Sequence, residues 1–369
     1  MSTIRILHAA DLHLDSAFES LSAVKAAFRR QEQRDLLSRL AGLAEEHSPD
    51  LVFLSGDLFD SFSAYYETGE ALLSCLRRIQ APVFITPGNH DFYGPSSPYT
   101  RLVFPSNVRI FTQPKIEYFT IGANIRVFGA AFCDRTCPPL LKDFHAPREA
   151  GILNLMCLHA DLMDPSSGYC PVSPADIAQS GMDFIAFGHN HTPSGLCREG
   201  NTWYSIAGCP EGRGFDETGD RFVNLIDLDA DSCRIRQLSI AGRRYESLNV
   251  DISETEPALA IAAALPDETA QDIYRITLTG QTAQAPDLSS LHRSLDPLFF
   301  DLQLRDRTVV AEDLWKSAGS DTLKGLFLSK LLELKQNCRT EAELARIEQA
   351  ARWGIAALEN REEVCSHEN

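Results

Sequence analysis

Five apolar runs in the first two-thirds of the chain each end in a short polar motif built from Asp, Asn and His. Ile4–Ala9 leads into Asp11-Leu12-His13, Leu51–Leu54 into Gly56-Asp57-Leu58-Phe59-Asp60, and residues 83–86 into Gly88-Asn89-His90-Asp91. Residues 153–158 close on His159, and residues 184–187 open into Gly188-His189-Asn190-His191. Runs this short and this apolar read as strands buried on both faces. Segments of helical periodicity, residues 31–46 and 67–79, separate the first three. The chain therefore begins β-α-β-α-β, with crossover helices and parallel strands. In open α/β sheets ligands gather at the carboxyl ends of strands, so all five motifs are expected on one rim.

The residue types suit one task. Two divalent cations held about 3.5–4 Å apart need a bridging carboxylate and a mixed oxygen and nitrogen shell. Imidazole with carboxylate suits Mn, Fe or Zn better than Mg or Ca. In Asp-x-His and His-x-His, alternate residues of an extended segment point the same way, so both reach one ion. Gly56, Gly88 and Gly188 permit tight turns and close backbone approach where strand becomes loop.

Other features bound the class. No stretch approaches the roughly 20 apolar residues that span a bilayer. The N-terminus runs into a strand without the parts of a signal peptide. A cytoplasmic protein with no membrane contact is the expectation. The ten cysteines are irregularly spaced and read as reduced, small apolar residues. The net charge of −17 excludes a broadly basic nucleic-acid surface, though a local basic strip can sit on an acidic protein.

Further strand-like runs at residues 126–130, Thr202–Ile206, Phe222–Leu228 and Cys233–Ser239 suggest two packed sheets flanked by helices. An acidic linker at residues 251–257 marks a change of character. An Ala-rich helix follows, then a strand at residues 273–278, a helix at Leu288–Leu295 and a strand at residues 299–304. From Thr322 the pattern is helical, with a break at residues 337–340 and a frayed tail beyond Asn360. The expected division is 1–248, a large α/β domain; 249–312, a small α+β module; and 313–369, C-terminal helices. In the last of these, residues 323–332 carry an apolar face for a partner helix or for the segment's own domain.

Asp11-x-His13, Gly56-Asp57-x-x-Asp60, Gly88-Asn89-His90-Asp91, His159 and Gly188-His189-x-His191 together resemble the calcineurin-like metallophosphoesterase family over residues 4–210. The resemblance implies an α/β fold, a four-layer α/β/β/α sandwich with a dinuclear centre. It implies Asp11, His13 and His191 at the first metal, Asn89, His159 and His189 at the second, and Asp57 as bridge. His90 matches the family's non-ligand histidine, which protonates the leaving group, with Asp60 orienting it. A metal-activated water would attack phosphorus in line. His8, His47, His145, His292 and His367 fall outside the pattern and read as solvent-facing or satisfied. Asp15, Asp91 and Asp161 read as braces for loops. Arg213 would contact a substrate phosphate or form a structural salt bridge.

Two stretches are more particular: Leu7-His8-Ala9-Ala10-Asp11-Leu12-His13-Leu14-Asp15, and Gly208-Cys209-Pro210-Glu211-Gly212-Arg213-Gly214-Phe215-Asp216-Glu217. Both are similar to the SbcD/YhaO-like branch of DNA repair exonucleases. That branch implies a capping domain after the core, helices that dock on a Rad50-like (SbcC-like) ATPase, DNA as substrate, manganese at the site, and a homodimer through N-terminal helices. One departure is that Gly219-Asp220-Arg221 stands where the branch has a Lys-Gly step. The alternatives are a phosphodiesterase or phosphatase for a small molecule, and a scaffold with a vestigial site.

Overall fold

The computed structural model describes residues 3–229, 232–310, 315–338 and 340–358. The expected boundary at 312/313, the tail beyond Asn360 and His367 lie outside the described residues. Two sheets of six strands dominate. In chain order the first takes β1 (Ile4–Ala9), β2 (Leu51–Leu54), β3 (Val83–Ile85) and β4 (Val108–Ile110). The second takes β5 (Glu117–Ile121), β6 (Ile125–Gly129), β7 (Leu153–His159), β8 (Phe184–Gly188), β9 (Cys197–Glu199) and β10 (Thr202–Ile206). The chain then returns to the first sheet with β11 (Phe222–Leu228) and β12 (Cys233–Ser239). The spatial orders are β12-β11-β1-β2-β3-β4 and β5-β6-β7-β8-β10-β9. Strands β1 to β4 run parallel, as do β6, β7, β8 and β10; β11 joins β1 antiparallel.

Alternation along each strand builds the layers. Ile6, Phe53 and Phe84 of the first sheet meet Val127, Leu155 and Phe184 of the second in one buried core. Their neighbours Leu7, Val52 and Leu54 face the other way, onto Leu36, Leu40, Leu72 and Leu76 of helices α1 (Ala23–His47) and α2 (Tyr66–Arg78). On the far side Phe128, Met156, Leu158 and Ile185 pack with Ile177, which belongs to α4 (Pro174–Gln179); the short α3 (Pro98–Arg101) precedes β4. Both faces of each central strand are thus buried, which is why the sequence shows apolar runs there rather than alternation. The layers are α/β/β/α, as expected.

Helix α1 begins eight residues before the periodicity that announces it. Ser22 caps it, accepting from the Lys25 amide. The first turns bury Arg29 and Gln33 and expose Val24 and Phe28, so the hydrophobic period is masked. The remaining elements are β13 (Tyr245–Asp251), α5 (Pro257–Ala264), β14 (Ile273–Thr279), β15 (Gln281–Thr282), α6 (Leu288–Leu295), β16 (Asp301–Asp306), β17 (Val309–Val310), α7 (Leu323–Gln336) and α8 (Glu341–Leu358). β13, β14 and β16 form a three-stranded sheet.

The described chain divides into two compact units. One holds the residues up to Leu248 with Leu265–Thr277 and Ser290–Arg305; the other holds Asn249–Ala264, Leu278–Ser289 and the residues from Asp306 on. Within the second, Leu328 of α7 is buried against Ala351 and Ile355 of α8, flanked by Phe327, Leu331 and Trp315. Leu323 and Leu326 stay exposed. The apolar segment of α7 therefore divides its side chains between its own unit and solvent.

Candidate metal centre

The rim loops are laced together by their backbones. The amides of Asp11, His13 and Leu14 donate to the carbonyls of Gly56, Asp57 and Leu58 at 2.9–3.0 Å. Asp11, His13, Asp57 and His189 all hold positive φ, at 52°, 43°, 47° and 90°. Each such residue costs about 1–3 kcal/mol and persists only where its surroundings over-determine it. Two glycines make the approach possible. A Cβ on Gly56 (φ 88°) would fall inside the His159 ring, and one on Gly88 inside the Asp57 carboxylate.

The tautomers follow from the outer partners. His13 Nδ1 meets the Asp60 carboxylate at 3.1 Å, and His191 Nδ1 meets Glu217 Oε1 at 2.7 Å. Both rings therefore carry a proton on Nδ1 and turn Nε2 outward. Those two Nε2 atoms lie 3.1 Å apart. His159 Nδ1 donates to the Ser55 carbonyl at 2.9 Å, so its Nε2 faces Asn89 Oδ1 at 3.0 Å and Asp57 Oδ2 at 3.4 Å. His189 Nδ1 faces the same Asn89 oxygen at 3.1 Å. Asp57 Oδ2 is also 3.7 Å from His13 Nε2, between the two groups. Asp11 accepts from the His189 amide through both oxygens, at 3.0 and 3.1 Å.

Ring nitrogens meet carboxylate, carboxamide or ring partners at both places. Such an arrangement is repulsive unless positive charge lies between the atoms, and it is the donor set two divalent cations require. Among the described residues the groupings of carboxylate and imidazole with metal-ligand spacing are Asp11-His13-His191, His13-Asp57-His90 and Asp11-Asp57-His159, all on this rim. At His159 a proton takes that place when no cation does. Burial pushes the ring down, but the Asp57 carboxylate outweighs it and raises His159 to about 9. Burial likewise pushes His13 down, which keeps that ring neutral and able to bind a cation.

His90 is exposed beside this cluster. Its amide donates to Asp57 Oδ1 at 3.0 Å, its Nδ1 meets the Asp60 carbonyl at 3.1 Å, and its ring stands edge-on to His13 at 4.7 Å. The Asp60 carboxylate turns elsewhere, to His13 and to Arg213 Nη1 at 3.0 Å. Asp60 thus touches His90 through its peptide oxygen and orients His13 through its side chain. Arg213 spans Asp60 and Glu217, bonding Glu217 Oε1 at 2.8 Å; its Nη2 lies 3.2 Å from His191 Nδ1 only because both share that oxygen. This is the structural salt bridge of the two readings.

Asp91 braces its loop, accepting from the amides of Gly88 and Phe59 and from Tyr99 Oη. Asp15 accepts from the Tyr65 amide and Thr68, and Asp161 from the amides of Met163 and Asp164. His8 is buried and satisfied by Ser55. The residue that motif spacing missed is Glu217, the buried partner that fixes His191. Its only sequence signal is its place at the end of the Gly208–Glu217 stretch.

The sequence profile of the calcineurin-like phosphoesterases matches residues 4–193. The chain belongs to that family. Among curated relatives, this calcineurin-like chain is 27% identical to the uncharacterized metallophosphoesterase YhaO of Bacillus subtilis over 282 residues, 72% of the chain and 68% of YhaO. It is 25% identical to the DNA double-strand break repair protein Mre11 of Saccharolobus solfataricus over 263 residues, 67% of the chain and 66% of Mre11. The match thus spans about two thirds of each relative's length. A dimetal phosphatase structure from Danio rerio overlays 64% of the chain and 96% of its own at 13% identity, with a TM-score of 0.42. Among the described residues no helix is long and apolar enough to cross a membrane.

Proposed function

We propose that this metallophosphoesterase is a DNA nuclease that hydrolyses phosphodiester bonds at a two-cation centre, with manganese as the working metal. The observation that carries the phosphoesterase reading is the convergence of ring nitrogens and side-chain oxygens from seven residues on two places with Asp57 between them. Asp11, His13 and His191 would hold one cation, Asn89, His159 and His189 the other. When bound, the cations would neutralise charge on the phosphoryl oxygens and activate a water for in-line attack. Asp60 and Glu217 fix the rings of His13 and His191. Asp57, held by the His90 amide, keeps both halves in register. His90, exposed and tethered at Nδ1, turns Nε2 toward the departing alkoxide and gives it a proton.

The likeness to Mre11, a DNA double-strand break repair protein, supports DNA as substrate. The exposed Leu323 and Leu326 on α7 support docking of a Rad50-like ATPase there. The competing reading, a small phosphoester, is favoured by the charge of −17. Purified chain with Mn2+ should degrade linear duplex DNA as well as bis(4-nitrophenyl) phosphate, and faster with the ATPase added. Turnover of small diesters with DNA untouched, partner present, would sink the nuclease reading.

A further inference from the structure

Next to the metal centre lies a cleft of about 560 Å3, lined by His90 and Asn89 and by Phe62, Phe92, Arg135 and Tyr169. That volume is in the range of small-ligand sites. Its walls are aromatic. Phe62 and Phe92 pair at 4.5 Å with their planes tilted by 44°, and Tyr169 lies 5.1 Å from the His189 ring. None of the three is fully covered; Tyr169 is 39% exposed.

Arg135 stands out by charge. Arg213 is committed to Asp60 and Glu217, and Arg221 to the carbonyls of His191 and Thr218. The Arg135 guanidinium is exposed and makes no hydrogen bond or ion pair among the described residues. Its loop is nevertheless held in place. The Cys137 amide donates to Gly168 and the Cys170 amide to Cys137, both at 2.8 Å, which ties the segment carrying Arg135 to the one carrying Tyr169. The Tyr93 amide donates to Phe132 at 2.7 Å and anchors the segment carrying Phe92. An arginine with no partner among the described residues and partly exposed aromatic rings, set in a pre-organised cleft, match a nucleotide. Bases of any sequence stack on aromatic rings, and a guanidinium takes a phosphate through a two-pronged contact.

We propose that this cleft is a nucleotide subsite. It receives the nucleotide on the leaving side of the scissile bond, stacking its base on Phe62, Phe92 and Tyr169 and holding its next phosphate with Arg135. The side follows from His90, which lines the cleft and faces the departing oxygen. The subsite rests on the nuclease reading and supplies a local positive anchor for the strand on an acidic chain.

The test is binding of labelled hexathymidylate, and of its abasic counterpart, to the full chain, with Ca2+ replacing Mn2+ to hold cleavage off. Phe62→Leu should weaken hexathymidylate about ten-fold and leave the abasic strand nearly unchanged. Arg135→Ala should weaken both and reduce the slope of log affinity against log salt by about 0.7. With Mn2+, both variants should lose more kcat/KM on the oligonucleotide than on bis(4-nitrophenyl) phosphate. Wild-type binding and cleavage with both variants indistinguishable from it overturns the subsite and leaves the nuclease reading standing. Base-dependent binding without any cleavage of DNA does the reverse. Equal losses by Phe62→Leu on base-bearing and abasic strands also overturn it.

Discussion

His90 offers the cleanest separation of roles at the scale of single residues. Its hold on Asp57 is a backbone amide, which meets Asp57 Oδ1 at 3.0 Å and survives any side-chain change. Its ring is the exposed part, tied by Nδ1 to the Asp60 carbonyl. His90→Asn should therefore keep both cations bound and lose about 10²–10⁴-fold in turnover of a small phosphodiester, the usual worth of a positioned acid. Metal analysis beside the rate measurement checks it, and an empty site in the variant would contradict the role. The meeting of the seven proposed ligands and His90 on one rim was legible in the sequence because each follows an apolar run directly, so the strand dictates where it lands. Glu217 was not. It lies 26 residues beyond His191, in a loop whose path no periodicity reveals, and only the folded chain shows that it fixes that ring.

Helix α1 shows how an element can be strongly placed yet faintly written. Arg29 is fully buried in it and pairs with Glu32 and with Glu211, itself 1% exposed, at 2.7 Å for the latter. Arg243, also buried, closes on Glu32. The charged positions that obscured the first turns from the hydrophobic pattern are thus the ones that pin the helix to the loop carrying Glu211 and Gly212. Arg29→Met leaves Glu211 buried without its main cation, at a cost of about 3–5 kcal/mol. The melting midpoint should drop by on the order of 10 °C near neutral pH. The loss depends on pH. Burial alone would raise Glu32, but Arg243 and Arg29 hold it below its ordinary 4.5. A depressed carboxylate stabilises the fold above its ordinary value, and that support fades as pH falls through the lowered one. The gap between wild type and Arg29→Met should therefore narrow toward acid; a gap that widens there would refute the network. The central strands were legible for the opposite reason, since both their faces are apolar. Edge strands β4, β5 and β9 are short and half exposed, so no run of residues announces them.

For the molecule as a whole, the metal centre is a debt of electrostatics that folding alone leaves open. The fold holds four ligand positions of the rim at positive φ and crowds carboxylates, imidazoles and a carboxamide together there, in a chain that already carries −17. Cations relieve this only in the native state, because no unfolded chain brings residues 11 and 191 together. Whatever binds the native form alone stabilises it by RT ln(1 + [L]/Kd), about 2.7 kcal/mol at one hundred times Kd for each site. Chelation should thus lower the melting midpoint and abolish turnover together, and Mn2+ should restore both at two ions per chain. His90→Asn should still show the full shift in midpoint while remaining slow, since its cations are in place and only its acid is gone. A midpoint indifferent to chelator in the wild type would mean that the converging atoms are satisfied by protons alone, and the two-cation reading of the rim would fall with it.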